Sequence, residues 1–139
     1  MDYRGTITIR RPVNEVWAFF QQPRNDFAWQ ADLLRHSILY ESPAKVGSRG
    51  RETRKSFGES TWEVTEFTPE QRIAYKSISS PVPYDGAYLF EGVEGGTRFT
   101  SEYHLELSGL SRLLAPIVRH LAQKQLVTNL DRLKWMLEM

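Results

Sequence analysis

Four tyrosines, Tyr75, Tyr84, Tyr88 and Tyr103, recur through the centre of the chain. A buried tyrosine joins an apolar ring to a hydroxyl that needs a hydrogen-bond partner, so it can hold a ligand oxygen or polarise a ketone. The ionisable candidates beside them are Glu52, Arg54 and Glu102, because a buried charge is costly and marks a purpose where it occurs. Arg54 opposite Glu102 would form a structural ion pair as readily as a ligand clamp. The histidines, His36, His104 and His120, are widely spaced, and His104 shares a strand face with Arg98, Thr100 and Glu102 that reads as solvent-facing. No inward histidine or carboxylate stands out, which weighs against acid–base catalysis. The absence of cysteine removes disulfides, thiolate nucleophiles and Cys-bound metal. There is no HExxH, GxSxG or phosphate-binding glycine loop, and the glycines of "EGVEGGT" read as a hairpin turn. The sequence calls for no metal and no cofactor.

These side chains must be positioned by recognisable elements. "YRGTITIRRP" alternates Ile7 and Ile9 with threonines, as a half-buried strand does. Pro12 stops it and opens a helix, "VNEVWAFF", with Val13, Val16, Trp17 and Phe20 at helical spacing. A second short helix is expected through "RNDFAWQADL". From Arg35 the pattern is β: "RHSILYE", a turn in "SPAKVGS", then "RGRETRKSF", "STWEVTEFTP", "QRIAYKSIS", "PVPYDGAYLFEGV" and "TRFTSEYHLEL". Short turns between these strands argue for an antiparallel meander. Tyr84, Gly86, Tyr88 and Phe90 share one face, with Gly86 leaving room beside them. Phe99, Tyr103 and Leu105 share another that should point inward.

Leu110 to Met139 reads as helical, with Pro116 beginning or kinking the main rod. Leu114, Ile117, Val118 and Leu121 form one apolar stripe, and Leu126, Leu130, Leu133 and Leu137 a rotated one. Gln125, Thr128 and Asn129 interrupt the first stripe with polar groups, which fits a helix that packs at its ends and faces a space in its middle. The order is one strand, two short helices, six strands and one long helix, an α+β fold. Such a curved seven-stranded antiparallel sheet wraps its helix along the concave face, with the first strand joining an edge.

One domain of 139 residues accounts for the chain. Its net charge of +1 argues against nucleic acid as a partner. In "SRGRETRK", Arg49, Arg51 and Lys55 share a face and Arg54 points the other way, so the run reads as a solvated outer sheet face. No apolar run is long enough for stable membrane insertion, and no secretory signal is evident, so a cytoplasmic location is expected. Edge strands and exposed aromatics near Tyr84 suggest a homodimer.

Several phrases resemble the SRPBCC superfamily, the START-like or helix-grip proteins, and its polyketide cyclase/dehydrase branch most. They are "ITIRRPVNEVWAFF" with "NDFAWQADL", then "VTEFTPEQRIAY", "GGTRFTSEY" and "LDRLKWMLE", in that order across essentially the whole chain. The resemblance implies a helix-grip fold over residues 1–139 and a mostly apolar cavity between sheet and long helix. It places Trp29 at the cavity mouth or floor, where replacement by alanine should affect ligand uptake more than folding. Residues and resemblance together give the candidate ligand-contacting set: Trp29, Tyr75, Tyr84, Tyr88, Phe90, Phe99, Tyr103, Ile117, Leu121 and Gln125. The expected function is binding or transport of a hydrophobic small molecule of lipid, polyketide or aromatic type. The alternatives are a cofactor-independent cyclase or dehydratase, with no catalytic residue assigned, and a protein-interaction module.

Overall fold

The computed structural model describes residues 1–40, 44–55 and 57–139. Glu41 of the expected strand "RHSILYE", Ser42 and Pro43 of the turn after it, and Ser56 of "RGRETRKSF" lie outside the described residues. The elements run β1 (Asp2–Ile9), α1 (Val13–Phe20), a 3-10 turn (Pro23–Asn25), α2 (Asp26–Trp29), β2 (Leu33–Ile38), β3 (Arg49–Arg54), β4 (Gly58–Thr68), β5 (Arg72–Ser79), β6 (Tyr84–Val93), β7 (Gly96–Leu105), α3 (Leu110–Leu113) and α4 (Ala115–Glu138). The seven strands form one sheet in the order β1-β7-β6-β5-β4-β3-β2, every pair antiparallel. This is the expected meander, with β1 brought back beside the last strand as an edge. The second helix is much shorter than expected. Only Asp26–Trp29 is helical, and the chain leaves Gln30 in an extended conformation toward β2.

Two halves of the concave face do different work. Over β1, β7 and β6 the interior is solid: Ile9, Val16, Phe99 and Leu133 are fully buried, joined by Phe90, Leu126 and Leu130. Gly5 on β1 allows α4 to come this close, since a Cβ there would lie 2.5 Å from Leu130 Cδ1. Pro12 starts α1, whose rings dock on the same half as the spacing of Trp17 and Phe20 suggests. Phe20 stacks on Phe99 at 5.0 Å between ring centroids, and Trp17 meets Phe90 edge-on at 5.1 Å. Aromatic pairs at these separations add about 0.5–1.5 kcal/mol each beyond their burial. Over β2 to β5, and along Tyr84 and Tyr88 of β6 and Ser101 and Tyr103 of β7, the concave face is not filled by α4, and there the interior opens into a cavity.

Burial along α4 falls on Ala122, Leu126, Asn129, Leu130 and Leu133. Thr128 is exposed, whereas Gln125 and Asn129 turn toward the cavity. The polar interruption of the stripe therefore has two meanings, solvent for Thr128 and an interior space for the other two.

Candidate functional site

The cavity measures about 220 Å³ and lies between the concave face of β2–β7, α2 and the middle of α4. Its sheet wall is aromatic. Strand alternation brings Tyr75, Tyr84, Tyr88 and Tyr103 to the inner face, where Tyr75 lies 5.4 Å from Tyr88 and 6.2 Å from Tyr84 between ring centroids. The Tyr84 hydroxyl shares a 2.8 Å hydrogen bond with Ser60 Oγ, and the Tyr103 hydroxyl donates to the Ala122 carbonyl at 3.3 Å. Among the described residues the hydroxyls of Tyr75 and Tyr88 make no hydrogen bond, so both remain available to a ligand. Burial pushes Tyr84 up to about 12 and raises Tyr75, Tyr88 and Tyr103 as well, so all four are neutral hydrogen-bond donors at physiological pH. The room expected beside Gly86 is already taken: a Cβ there would sit 2.6 Å from the Tyr75 hydroxyl and 2.8 Å from Tyr103 Cβ.

The other end of the cavity is charged, which the sequence did not lead one to expect. On β3, strand alternation turns Glu52 and Arg54 inward while Arg49 and Arg51 stay exposed. Arg54 donates from Nη1 to both oxygens of Asp32 at 3.2 Å, from Nη2 to Gln30 Oε1, and rests its Nε against Glu52. Burial alone would lower Arg54, but Glu52 and Asp32 outweigh it and hold the guanidinium charged. Asn129 Nδ2 donates to Asp32 Oδ1 at 3.4 Å, and Asn129 in turn accepts from Gln125 Nε2 at 2.8 Å and from the Ala31 amide at 3.2 Å. This chain of contacts fixes the segment after α2 to both β3 and α4. The expected Arg54–Glu102 pair does not form; Glu102 faces Arg4 and Arg72 instead, each at 3.9 Å.

Beside this network, His36 Nδ1 lies 3.4 Å from Asp26 Oδ2. His36 is on β2 directly across from Glu52, and its ring stacks on Trp62 at 5.9 Å. Burial pushes Asp26 up to about 7, with Glu52 adding to the rise and Arg54 and Trp29 opposing it. Asp26 still keeps 24% of its side chain accessible, and it lines the cavity, so its desolvation comes from the surrounding fold rather than from a sealed contact. Burial lowers His36 from its ordinary value, with Glu52 opposing the fall. Both groups are thus shifted toward their neutral forms, an acid beside a base. The indole N–H of Trp62 is buried with no hydrogen-bond partner among the described residues, that of Trp29 is buried beside the Asp26 carboxyl but outside good hydrogen-bond geometry, and Glu52 Oε2 is paired with Arg54. Buried polar atoms are nearly always satisfied, so two indole donors without a full partner at one cavity stand out.

Of the ten candidate contacts, Trp29, Tyr75, Tyr84, Tyr88, Tyr103 and Gln125 line the cavity. Phe90 and Phe99 lie behind it in the solid core, Phe99 supporting Tyr88 at 5.7 Å between centroids. Ile117 and Leu121 are exposed and stand apart from it. The stripe that carries them precedes the buried part of α4, so helical spacing found the stripe but not where the sheet ends beneath it. Asp26, Asp32 and His36 were missed as inward groups, whereas Glu52, a candidate for inward charge, does line the cavity. The alternation of β3 was a usable signal for Glu52, since it shares the parity of Arg54. Asp26 and His36 carry no local signal, because only the packing of α2 against β2 brings them to the same end.

The sequence matches the family described as "Polyketide cyclase / dehydrase and lipid transport" over residues 2–138. The chain belongs to that family. Solved structures share its fold at low identity. The Thermus thermophilus protein TTHA0849 superposes with a TM-score of 0.82 at 20% identity, covering 96% of this chain and 94% of its own. The Zhui aromatase/cyclase of Streptomyces sp. R1128 gives 0.77 at 15% identity, covering 99% and 93%. The di-domain aromatase/cyclase StfQ of the steffimycin biosynthetic pathway gives 0.79 at 12% identity, covering 99% of this chain and 50% of StfQ. Among curated proteins nothing matches the chain. Within the family fold, the helix-grip arrangement of curved sheet and C-terminal helix is the one expected from the sequence.

Proposed function

We propose that the protein binds a compact hydrophobic small molecule of aromatic or polyketide type, with an oxygen-bearing end set against Trp29, Trp62 and the Asp26–His36 pair. The observation that carries this is a cavity whose lining brings four tyrosines together with the buried indole N–H groups of Trp29 and Trp62 and the Asp26–His36 pair. The aromatic wall supplies apolar burial, at roughly 25 cal/mol per Å² before the costs of association. The tyrosine hydroxyls and indole N–H groups fix orientation by donating to carbonyl or phenol oxygens. At about 220 Å³ the cavity is below the roughly 300–1,000 Å³ of drug-sized sites, which favours a small or flat ligand over a full-length lipid. A thermal-shift screen of hydrophobic compounds tests the reading. A true ligand at a hundred times its Kd adds about 2.7 kcal/mol of stability. No stabilising compound, together with no co-purified ligand, would remove it.

A second reading, cyclisation or dehydration without metal or cofactor, is favoured by Asp26 and His36. A neutral His36 can accept the α-proton of a ketone whose oxygen takes a hydrogen bond from Tyr88. The new carbon–carbon bond or double bond then forms from the enolate, and Asp26 can return a proton to the alkoxide or departing hydroxyl, which leaves as water. The similarity to the aromatase/cyclases Zhui and StfQ supports the same chemistry. Turnover of a β-hydroxyketone probe should fall about a hundredfold or more in His36→Gln and Asp26→Asn. A wild-type rate equal to buffer leaves the binding reading alone in place.

A further inference from the structure

Five large apolar side chains, Leu110, Leu113, Leu114, Ile117 and Leu121, are between 43 and 80% exposed, all of them on α3, the first two turns of α4 or the residue that joins the two. The buried stripe of α4 begins only at Ala122. Arg119, three and seven residues before Ala122 and Leu126 and so near their side of the helix, is itself exposed. The start of α4 therefore projects past its support on the sheet, and an apolar cluster of this size left in water usually has a partner.

Charge says which partner. From Ser108 to Leu130 the chain carries Arg112, Arg119, His120 and Lys124 and not one aspartate or glutamate. The carboxylates nearest to it along β1 and β7, Asp2 and Glu106, are drawn to His104, at 2.6 and 3.9 Å. We propose that α3 and the first turns of α4 form a docking surface for an anionic lipid bilayer. Leucine and isoleucine would enter the boundary between headgroups and acyl chains while Arg112 and Lys124 meet lipid phosphates, the division of labour of an interfacial helix. A second copy of the chain is the poorer occupant. A two-fold contact would set this cationic surface against itself. The docking is peripheral and reversible, as no helix among the described residues is long and apolar enough to cross a membrane. Ala122, Gln125 and Leu126, on the next turns of α4, line the cavity. On the binding reading, which the docking itself does not require, that end of the cavity would face the bilayer.

The test is co-sedimentation of the full chain with vesicles of phosphatidylcholine alone and of phosphatidylcholine mixed with phosphatidylglycerol. Binding should be at least tenfold tighter to the anionic vesicles and should weaken with salt. Each Lys or Arg near an anionic surface contributes about 1 kcal/mol, so Arg112→Gln with Lys124→Gln should weaken binding about thirtyfold. Leu113→Ser with Ile117→Ser should abolish it without lowering the melting temperature, because both side chains are exposed. Gln125→Trp, which obstructs the cavity, should bind vesicles like wild type, separating this result from the fate of the cavity. The proposal is overturned if wild type ignores both vesicles or if the two double variants bind like wild type. A wild-type dimer that Ile117→Ser converts to monomer, with no vesicle binding, would overturn it in favour of a second copy.

Discussion

At the scale of single residues, the surprise is that inward charge was present all along. Alternation in β3 already set Arg54 apart from Arg49 and Arg51, and that part of the sequence reading holds. Its partners could not be read, because Asp32 and Asp26 come from the segment around α2 and His36 from an edge strand, and no local pattern links them. Asp26 makes a sharp pH prediction. Its value rises from 3.8 to about 7 on folding, so the folded state holds the proton more tightly than the unfolded chain. The corresponding stability is complete below about pH 4 and declines as pH rises through about 7. Asp26→Asn should lack this decline, so its urea midpoint should gain on wild type between pH 5 and pH 8. Parallel pH profiles would contradict the assignment. His36, lowered on folding, works in the opposite sense: its contribution is present above 6.5 and fades as pH falls through its lowered value. Trp29 also needs revision from what the sequence suggests. It is 3% exposed and meets Phe20, Tyr88 and Phe99 at 5.5 to 6.3 Å between centroids. Trp29→Ala should therefore cost about 3–5 kcal/mol in denaturant unfolding. A loss below about 1 kcal/mol would restore the picture of Trp29 as an entrance residue dispensable for folding.

At the scale of elements, periodicity located the strands, α1 and the long helix, because each has one face in the core and one in water. It overran α2, where the aromatic content of Phe27 and Trp29 mimics a helical stripe but only Asp26–Trp29 coils. In α4 the polar break at Gln125 and Asn129 correctly signalled an interior space. The apolar stripe at Ile117 and Leu121 misled, since hydrophobicity alone cannot distinguish burial in this chain from an exposed docking face. Close approach between elements was equally hidden. Gly86 reads as spare room, yet a Cβ there would meet the Tyr75 hydroxyl, the Glu102 carbonyl and Tyr103 Cβ, all within 2.8 Å. Gly86→Ala should displace the Tyr75 ring and strain β6 against β7, at a cost of about 1–3 kcal/mol through overpacking. It should also weaken any ligand that stabilises the wild type. An unchanged urea midpoint would show that the rings have slack.

At the scale of the whole molecule, the helix-grip sheet divides its concave face into a solid half and an open half, and the open half carries both tyrosines and charge. That division explains why fold and family were legible from the sequence while the polar end of the cavity was not. Motifs such as "VTEFTPEQRIAY" specify turns and strand pairing, whereas the cavity's chemistry depends on which side chains the pairing sets face to face. The central claim is that this space holds a compact, oxygen-bearing hydrophobic molecule. Native mass spectrometry of the freshly purified chain and of Gln125→Trp, with identification of whatever is released, tests it most directly. The account predicts a small aromatic or polyketide-type adduct on the wild-type chain that is lost from the variant. Bare wild-type protein that also takes up no compound from a hydrophobic library, or an adduct retained in full by Gln125→Trp, would contradict it.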